Sequence, residues 1–417
     1  MRILHTSDWH LGRQLHQKSR EDEFAAFLAW LPGIIAAEQV EVLVIAGDLF
    51  DTANPPHEAQ RQYFGFLKAA RQAGCRHVVV VAGNHDAPGL VDAPADLLED
   101  MDMRIVGTAT PDPADCVHVL RNREGTPRLI VCAVPFLRDR DLLASQSGEN
   151  SRDREQRVLE GTRAYYAQAA ARAEELRTRE GAHLPILATG HLFADGGTIV
   201  EDDGVRDLYV GGIGAVPADH FPANLDYVAL GHIHRPQSVG GSDRIRYCGA
   251  PLAMGFGEAE QAKSVTLLDL ERGKQGIRQI PVPRIRRLVR LSGDQTDLRQ
   301  GLATLLADNT GLPAWLEVTY NGSELHMDLR ASLDALLANT PHEILRLRDL
   351  RVLEAAATSL DLAVDLEELG VARVFQQLLD LRETPAEEVP ELLEAFAEIV
   401  HAVQQAGMTT PTRQDLA

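Results

Sequence analysis

Cysteine is scarce in this chain. Four thiols, Cys75, Cys116, Cys132 and Cys248, are scattered over 417 residues with no Cys-x-x-Cys pair. That pattern argues against a disulfide frame and fits reduced, mostly buried thiols in a cytoplasmic protein. No apolar run approaches the ~18 to 20 residues that a membrane helix needs. The first residues enter a strand pattern at once, without the basic region, apolar stretch and small-residue cleavage site of a secretory signal. Long internal repeats and low-complexity tracts are missing as well. Basic residues are in deficit, 41 against 61 acidic, for a formal net charge of −20. Taken alone, this argues against non-specific nucleic-acid binding. A local site can still attract phosphate where metal ions reverse the potential. The acid is uneven, heavy after Leu360, and arginines gather at Arg284, Arg286, Arg287 and Arg290 and along Arg152 to Arg179.

What is present is the balance of a globular protein, 45% hydrophobic and 24% charged, in a chain long enough for two or three domains. Buried-strand runs recur: Ile3 to Thr6, Val42 to Ala46, Val78 to Ala82, Leu129 to Val134, Ile186 to Gly190, Tyr227 to Leu230, Ile245 to Cys248 and Ser264 to Leu270. Helical spacing separates the early ones, over Glu21 to Gln39 and about His57 to Ala73, so βαβ units are expected. Pro32 and Gly33 are expected to bend or shorten the first helix. Arg152 to Glu180 reads as a long charged helix. Two sheets packed face to face would accommodate so many strands. The composition changes at Ile280 to Pro283, and a boundary is placed there: residues 1–279 form the main domain and 280–351 a small α+β domain. In the latter, strands at Arg287 to Leu291, Trp315 to Tyr320 and Ile344 to Arg348 alternate with helices at Leu298 to Leu306 and Leu329 to Leu337. Residues 352–417 read as a helical segment with two apolar stripes. One holds Val371, Val374, Phe375, Leu378 and Leu379; the other runs from Val389 through Leu392, Leu393, Phe396, Ile399 and Val400 to Val403.

The informative residues follow the strands. Asp8 and His10 stand after the first, Asp48 after Val42 to Ala46, and Asn84, His85 and Asp86 after Val78 to Ala82. His191 ends a fourth, and His232 and His234 a fifth. In open α/β sheets this rim is where ligands bind. Each residue alone is an ordinary loop aspartate or core histidine; the joint order is what carries weight. Oxygen and imidazole donors without thiolate suit Mn, Fe or Zn better than Ca. Two such ions ~3.5 to 4 Å apart can activate water and clamp a phosphate for in-line attack. A bridging carboxylate is then required, and Asp48 is the best candidate. Asp51 is read as supporting the ligands rather than binding metal. His16 is the one outlying histidine placed to meet phosphate, and Trp9 is read as packing rather than stacking on a base.

The series Asp8-Trp9-His10, Gly47-Asp48-Leu49-Phe50-Asp51, Gly83-Asn84-His85-Asp86, Gly190-His191 and Gly231-His232-Ile233-His234 resembles the calcineurin-like metallophosphoesterases. It is most similar to their bacterial nuclease subunits related to the eukaryotic Mre nucleases. RILHTSDWHLG, AGDLFDTANPP, VRDLYVGG, DYVALGHIHRPQ and RYCGAP support the closer match, which covers roughly Met1 to Leu270. The resemblance implies an α/β calcineurin-like metallophosphoesterase fold, two packed β-sheets flanked by helices, with a small α+β cap domain and a C-terminal helical segment. It implies two divalent metal ions, Mn(II) favoured: Asp8, His10, Asp48 and His234 would hold one, and Asp48, Asn84, His191 and His232 the other. His85 would face the scissile phosphate as acid or charge stabiliser, and Asp86 would orient it. DNA would be cut by both exonuclease and endonuclease action. The cap would grip duplex DNA, with the Arg284 to Arg290 cluster suited to phosphate contacts. The tail would dock a coiled-coil ATPase, and a homodimer would form within a two-plus-two heterotetramer. Two alternatives stand beside this reading. One is a phosphoesterase acting on phosphoproteins or small nucleotides, against which Asp51 is followed by Thr52 where protein phosphatases place arginine. The other is a non-catalytic scaffold of the same fold, against which the donor set is complete.

Overall fold

In the computed structural model, the described residues are 1–142, 151–181, 183–198, 215–307, 311–322 and 329–350, with Leu393 and Phe396. The VRDLYVGG stretch and, apart from those two residues, the C-terminal stripes lie outside them. Two compact units divide the chain: Met1–Arg290 with Asn309–Leu316 and Pro341–Leu345, and Leu291–Asp308 with Glu317–Thr340 and Arg346–Ala417.

The first unit holds two six-stranded sheets. In one, Arg2–Thr6, Val42–Ala46, His77–Val81 and Met103–Val106 run parallel, and Ser264–Asp269 and Ile277–Pro281 extend it antiparallel. In the other, Pro127–Cys132, Ile186–His191, Tyr227–Gly231 and Ser242–Tyr247 are parallel, edged by antiparallel Val117–Arg121 and Gln237–Val239. Period-two alternation explains why these strands are apolar on both faces. Val42 and Val44 join Leu129, Val131, Leu187, Tyr227 and Ala229 in the layer between the sheets. Leu43 and Ile45 face Phe24, Phe27, Tyr63 and Phe66 of the helices Glu21–Ala37 and His57–Gln72. On the far side, Ile130, Ile186, Ala188 and Val228 cluster with Tyr165, Tyr166, Ala169 and Ala173 of the helix Ser151–Glu180. The α/β fold with two packed sheets flanked by helices is thus observed.

One expectation needs revision. The helix Glu21–Ala37 runs through Pro32 without ending. Burial of Phe24, Phe27, Leu28, Leu31 and Ile35 outweighs the ~3 kcal/mol that an interior proline costs. Ile277–Pro281 pairs with Ser264–Asp269 across the position where the composition changes, so the first sheet extends to Pro281.

A three-stranded sheet follows, in the order Arg286–Gly293, Leu312–Tyr320, Glu343–Asp349. The helices Gln295–Leu306 and Leu329–Leu337 belong to this region, each burying a leucine row: Leu298, Leu302 and Leu305, and Leu329, Leu333 and Leu337. Asp294 caps the first through a reciprocal arrangement with Asp297, the usual way of satisfying first-turn N–H groups. Arg286, expected among exposed DNA-gripping arginines, is 9% exposed. Within the first unit its guanidinium meets Glu23 and Asp22 and lies 4.0 Å over the Trp315 ring. Its place on the inward face of the strand accounts for this. Arg284 and Arg290 are exposed.

Candidate metal centre

The donors converge because three parallel strands of one sheet and two of the other carry them at their carboxyl ends, and the loops after these strands are bent sharply. Asp8, His10, Asp48 and His232 all hold left-handed backbone, with φ of 54°, 48°, 48° and 106°. Such conformations cost of order 1–3 kcal/mol each and persist only where surrounding structure imposes them, commonly at functional sites. The glycines before the donors have steric reasons. A Cβ on Gly47 would fall 2.2 Å from His191 Nδ1, and one on Gly231 would fall 2.0 Å from the Ala46 carbonyl. A Cβ on Gly83 would fall 2.1 Å from Asp48 Oδ1.

Asp48 lies at the middle of the cluster. Its Oδ2 is 3.3 Å from His191 Nε2, 3.6 Å from His10 Nε2 and 4.0 Å from His85 Nε2. The His85 N–H donates to its Oδ1 at 2.9 Å. Burial opposes its ionisation, but His191, His10 and His85 outweigh it and hold the carboxyl well below the usual range. His191 is raised to about 9 because Asp48 and Asp8 overcome the effect of burial. His232 is pushed down to about 3, by burial first and then by His191. Asn84 Oδ1 stands 3.0 Å from His191 Nε2 and 3.2 Å from His232 Nδ1. On the other side, His10 Nε2 faces His234 Nε2 at 3.2 Å. Asp8 accepts from the His232 N–H at 2.9 Å and from the Ser7 hydroxyl.

These distances draw together all seven expected donors. Asp8, His10 and His234 offer ligand atoms within 4.8 Å of one another, as do Asp8, Asp48 and His191. Two imidazole nitrogens directed at each other beside a buried carboxylate suit a shared cation. The donor chemistry therefore fits divalent metal.

Other residues are placed differently from the sequence reading. Asp86 does not reach the His85 ring. Its carboxylate accepts the backbone N–H groups of Gly83, Leu49 and Phe50 at 2.8, 3.1 and 2.9 Å, tying two donor loops together. Burial and then Asp48 push it up to about 6. The partner of His85 Nδ1 is the Asp51 carbonyl at 2.7 Å. A backbone oxygen leaves no sequence signal. The Asp51 carboxylate stands 3.3 Å from His10 Nδ1 and accepts from Arg13 at 3.1 Å. A third donor group, His10, Asp51 and His85, is also within 4.8 Å. Trp9 is fully buried, edge-on to Phe27 and Phe66, and so packs. His16 is exposed beside Phe256, at 5.8 Å between centroids. Glu258, which spacing did not single out, accepts from His234 Nδ1 at 3.0 Å.

The calcineurin-like phosphoesterase family matches residues 1–236. A family described as the type 5 capsule protein repressor C-terminal domain matches residues 284–383. The SbcD subunit of the nuclease SbcCD from Escherichia coli is 37% identical over 404 residues, 97% of this chain and 98% of the relative. The SbcD subunit from Rhodobacter capsulatus is 39% identical over 356 residues, 82% and 85% of the two chains. That of Bacillus subtilis is 36% identical over 278 residues, 66% and 68% of the two chains. A solved β-glucosidase from Exiguobacterium marinum aligns over 83% of this chain and 88% of its own at 10% identity, but its TM-score of 0.21 is too low for a shared fold. With donors, strand ends and glycines in this order, the chain belongs to the calcineurin-like phosphoesterases and, within them, to the SbcD family of nuclease subunits.

Proposed function

We propose that this chain is a metal-dependent phosphodiesterase that cleaves DNA, as double-strand exonuclease and single-strand or hairpin endonuclease. In this reading it acts with an SbcC-type coiled-coil ATPase that controls access. The observation that carries it is the convergence of seven donors around Asp48, within a family whose relatives are named as nucleases. Asp8, His10, Asp48 and His234 would hold one divalent ion. Asp48, Asn84, His191 and His232 would hold the other, with Mn(II) favoured for oxygen and imidazole donors. Bound there, the ions supply activation of water and charge neutralisation of the phosphodiester.

The chain's own part begins with His85. As a residue it is the most exposed of the site histidines, at 8% against 4% or less for the others. Its Nδ1 is held by the Asp51 carbonyl, so Nε2 is the atom turned toward Asp48 and the substrate space. From there it would give a proton to the leaving oxygen or steady the negative charge that develops. Asp51 and Asp86 keep the loops in place, one through His10 and the other through three backbone N–H groups. The acidic surface leaves the metals and exposed arginines such as Arg284 and Arg290 to attract the phosphate backbone. A homodimer within a two-plus-two heterotetramer would bring two such sites to one DNA.

The test is Mn(II)-dependent cleavage of linear and hairpin duplex DNA, with and without an SbcC-type partner and ATP, beside a phosphoprotein control. Cleavage of both DNAs and none of the control is expected. Release of phosphate from the phosphoprotein, with DNA intact even when the partner is present, would overturn the proposal.

A further inference from the structure

We propose that Glu258, backed by Lys263, is a positioning residue that selects which nitrogen of His234 faces the metal centre, and thereby sets the affinity of one ion position. The inference rests on the reading of His234 as a ligand. Glu258 lies at 0% exposure, in the short turn Phe256–Glu258, and Lys263 at 8%, just before the strand Ser264–Asp269. Both are remote in sequence from the five donor loops.

Both carboxylate oxygens are in use. Oε1 accepts from His234 Nδ1 at 3.0 Å; Oε2 accepts from the Met254 N–H at 3.0 Å and from the Lys263 ammonium. Lys263 also donates to the His234 carbonyl at 3.2 Å and to Gln261 Oε1 at 3.3 Å, so it holds the backbone of the ligand as well as the acid behind its ring. Glu258 is buried against the Lys263 ammonium, which donates to Oε2 beside the Met254 N–H, so the carboxylate is held as the anion of an ion pair. An ionised carboxylate can only accept. The imidazole nitrogen facing it must therefore carry the proton, and Nε2 is left with its lone pair toward His10 Nε2 at 3.2 Å.

Three other site histidines have no fully buried carboxylate behind the ring. His191 and His85 meet backbone carbonyls at 2.9 and 2.7 Å, and His10 lies 3.3 Å from the partly exposed Asp51. A carboxylate behind a ligating imidazole fixes its tautomer and raises its basicity, and loss of such a partner costs roughly 10- to 100-fold in metal affinity.

The experiment is Mn(II) binding by equilibrium dialysis to the full chain, to Glu258→Gln and to His234→Ala. Glu258→Gln keeps shape and an amide oxygen while removing the charge. It should bind one ion as the intact chain does and the other roughly 10- to 100-fold more weakly. His234→Ala should lose that position altogether. A role in packing alone would lower the melting temperature of Glu258→Gln and leave both affinities unchanged, which would overturn the proposal. Unchanged binding in His234→Ala would instead overturn the ligand reading beneath it. A second measurement needs no change at Glu258: the imidazole nitrogen spectrum of the metal-free chain carrying nitrogen-15 histidine, with His234 assigned by its loss in His234→Ala. An Nδ1-protonated ring is expected; an Nε2-protonated or rapidly exchanging ring would overturn the proposal.

Discussion

Gly83→Ala is the smallest change that should reach the centre of the site. The added Cβ would stand 2.1 Å from Asp48 Oδ1 and 2.3 Å from the Asp48 nitrogen, whereas ordinary contact begins near 3.4 Å. What it meets is a buried carboxylate and its own backbone, held by the His85 N–H at 2.9 Å, so no flexible tip can swing aside. Relief of the closer contact requires a shift of ~1.3 Å (3.4 − 2.1) between Asp48 and the loop after His77–Val81. A misplacement of about 1 Å at a reacting centre costs ~10²-fold, which is about 2.7 kcal/mol at 1.36 kcal/mol per tenfold. Metal-dependent kcat/KM on duplex DNA should fall by that factor, with cooperative unfolding retained. Gly65→Ala, whose Cβ meets nothing within 4 Å, is the control. Activity of Gly83→Ala equal to that control would refute the reasoning, because Asp48 would then not need its observed position.

His5 is buried against Tyr227 and pushed down to about 3 by burial, the Leu230 carbonyl opposing. Its folded value lies below the ordinary ~6.5, so below pH ~6.5 the unfolded chain takes a proton that the folded chain refuses. Stability is then lost at about 1.4 kcal/mol per pH unit down to about pH 3. In urea titrations at several pH values, His5→Gln should lose stability less steeply on acidification; parallel curves would contradict this. Leu187→Ala, in the layer between the sheets, should cost ~2–5 kcal/mol, read as a fall in denaturant midpoint, and an unchanged midpoint would argue against that layer as core. Arg286→Ala should destabilise the fold by about 1.5–3 kcal/mol, because it removes one of the two guanidinium groups on buried Glu23, Arg20 remaining, together with the contact over Trp315. Exposed Arg284→Ala should leave the melting temperature unchanged, and equal melting temperatures for the two variants would contradict the burial of Arg286.

The strands and donor loops were legible in sequence because full burial imposes continuous apolar runs such as Val42 to Ala46. The rim then imposes glycine followed by a polar donor. The short edge strands were not. Met103–Val106, Val117–Arg121 and Gln237–Val239 are partly exposed and carry mixed residues, and their pairing partners set them more than their own pattern does. The run through Pro32 was hidden for a related reason, since tertiary burial decided it. Site support was the least legible layer. Asp86 serves backbone N–H groups rather than the neighbouring imidazole. Arg286 turns inward by strand alternation, and Glu258 reaches His234 from 24 residues away. None of these follows from spacing along the chain.

The central claim is that Asp48 joins the ions while His85 works on the substrate without holding them. It is tested most directly by metal content and Mn(II)-dependent DNA cleavage in the intact chain, Asp48→Ala and His85→Gln. Cleavage should be lost in both variants, with metal lost from Asp48→Ala and retained by His85→Gln. Full metal in Asp48→Ala, or undiminished cleavage by His85→Gln, would contradict it.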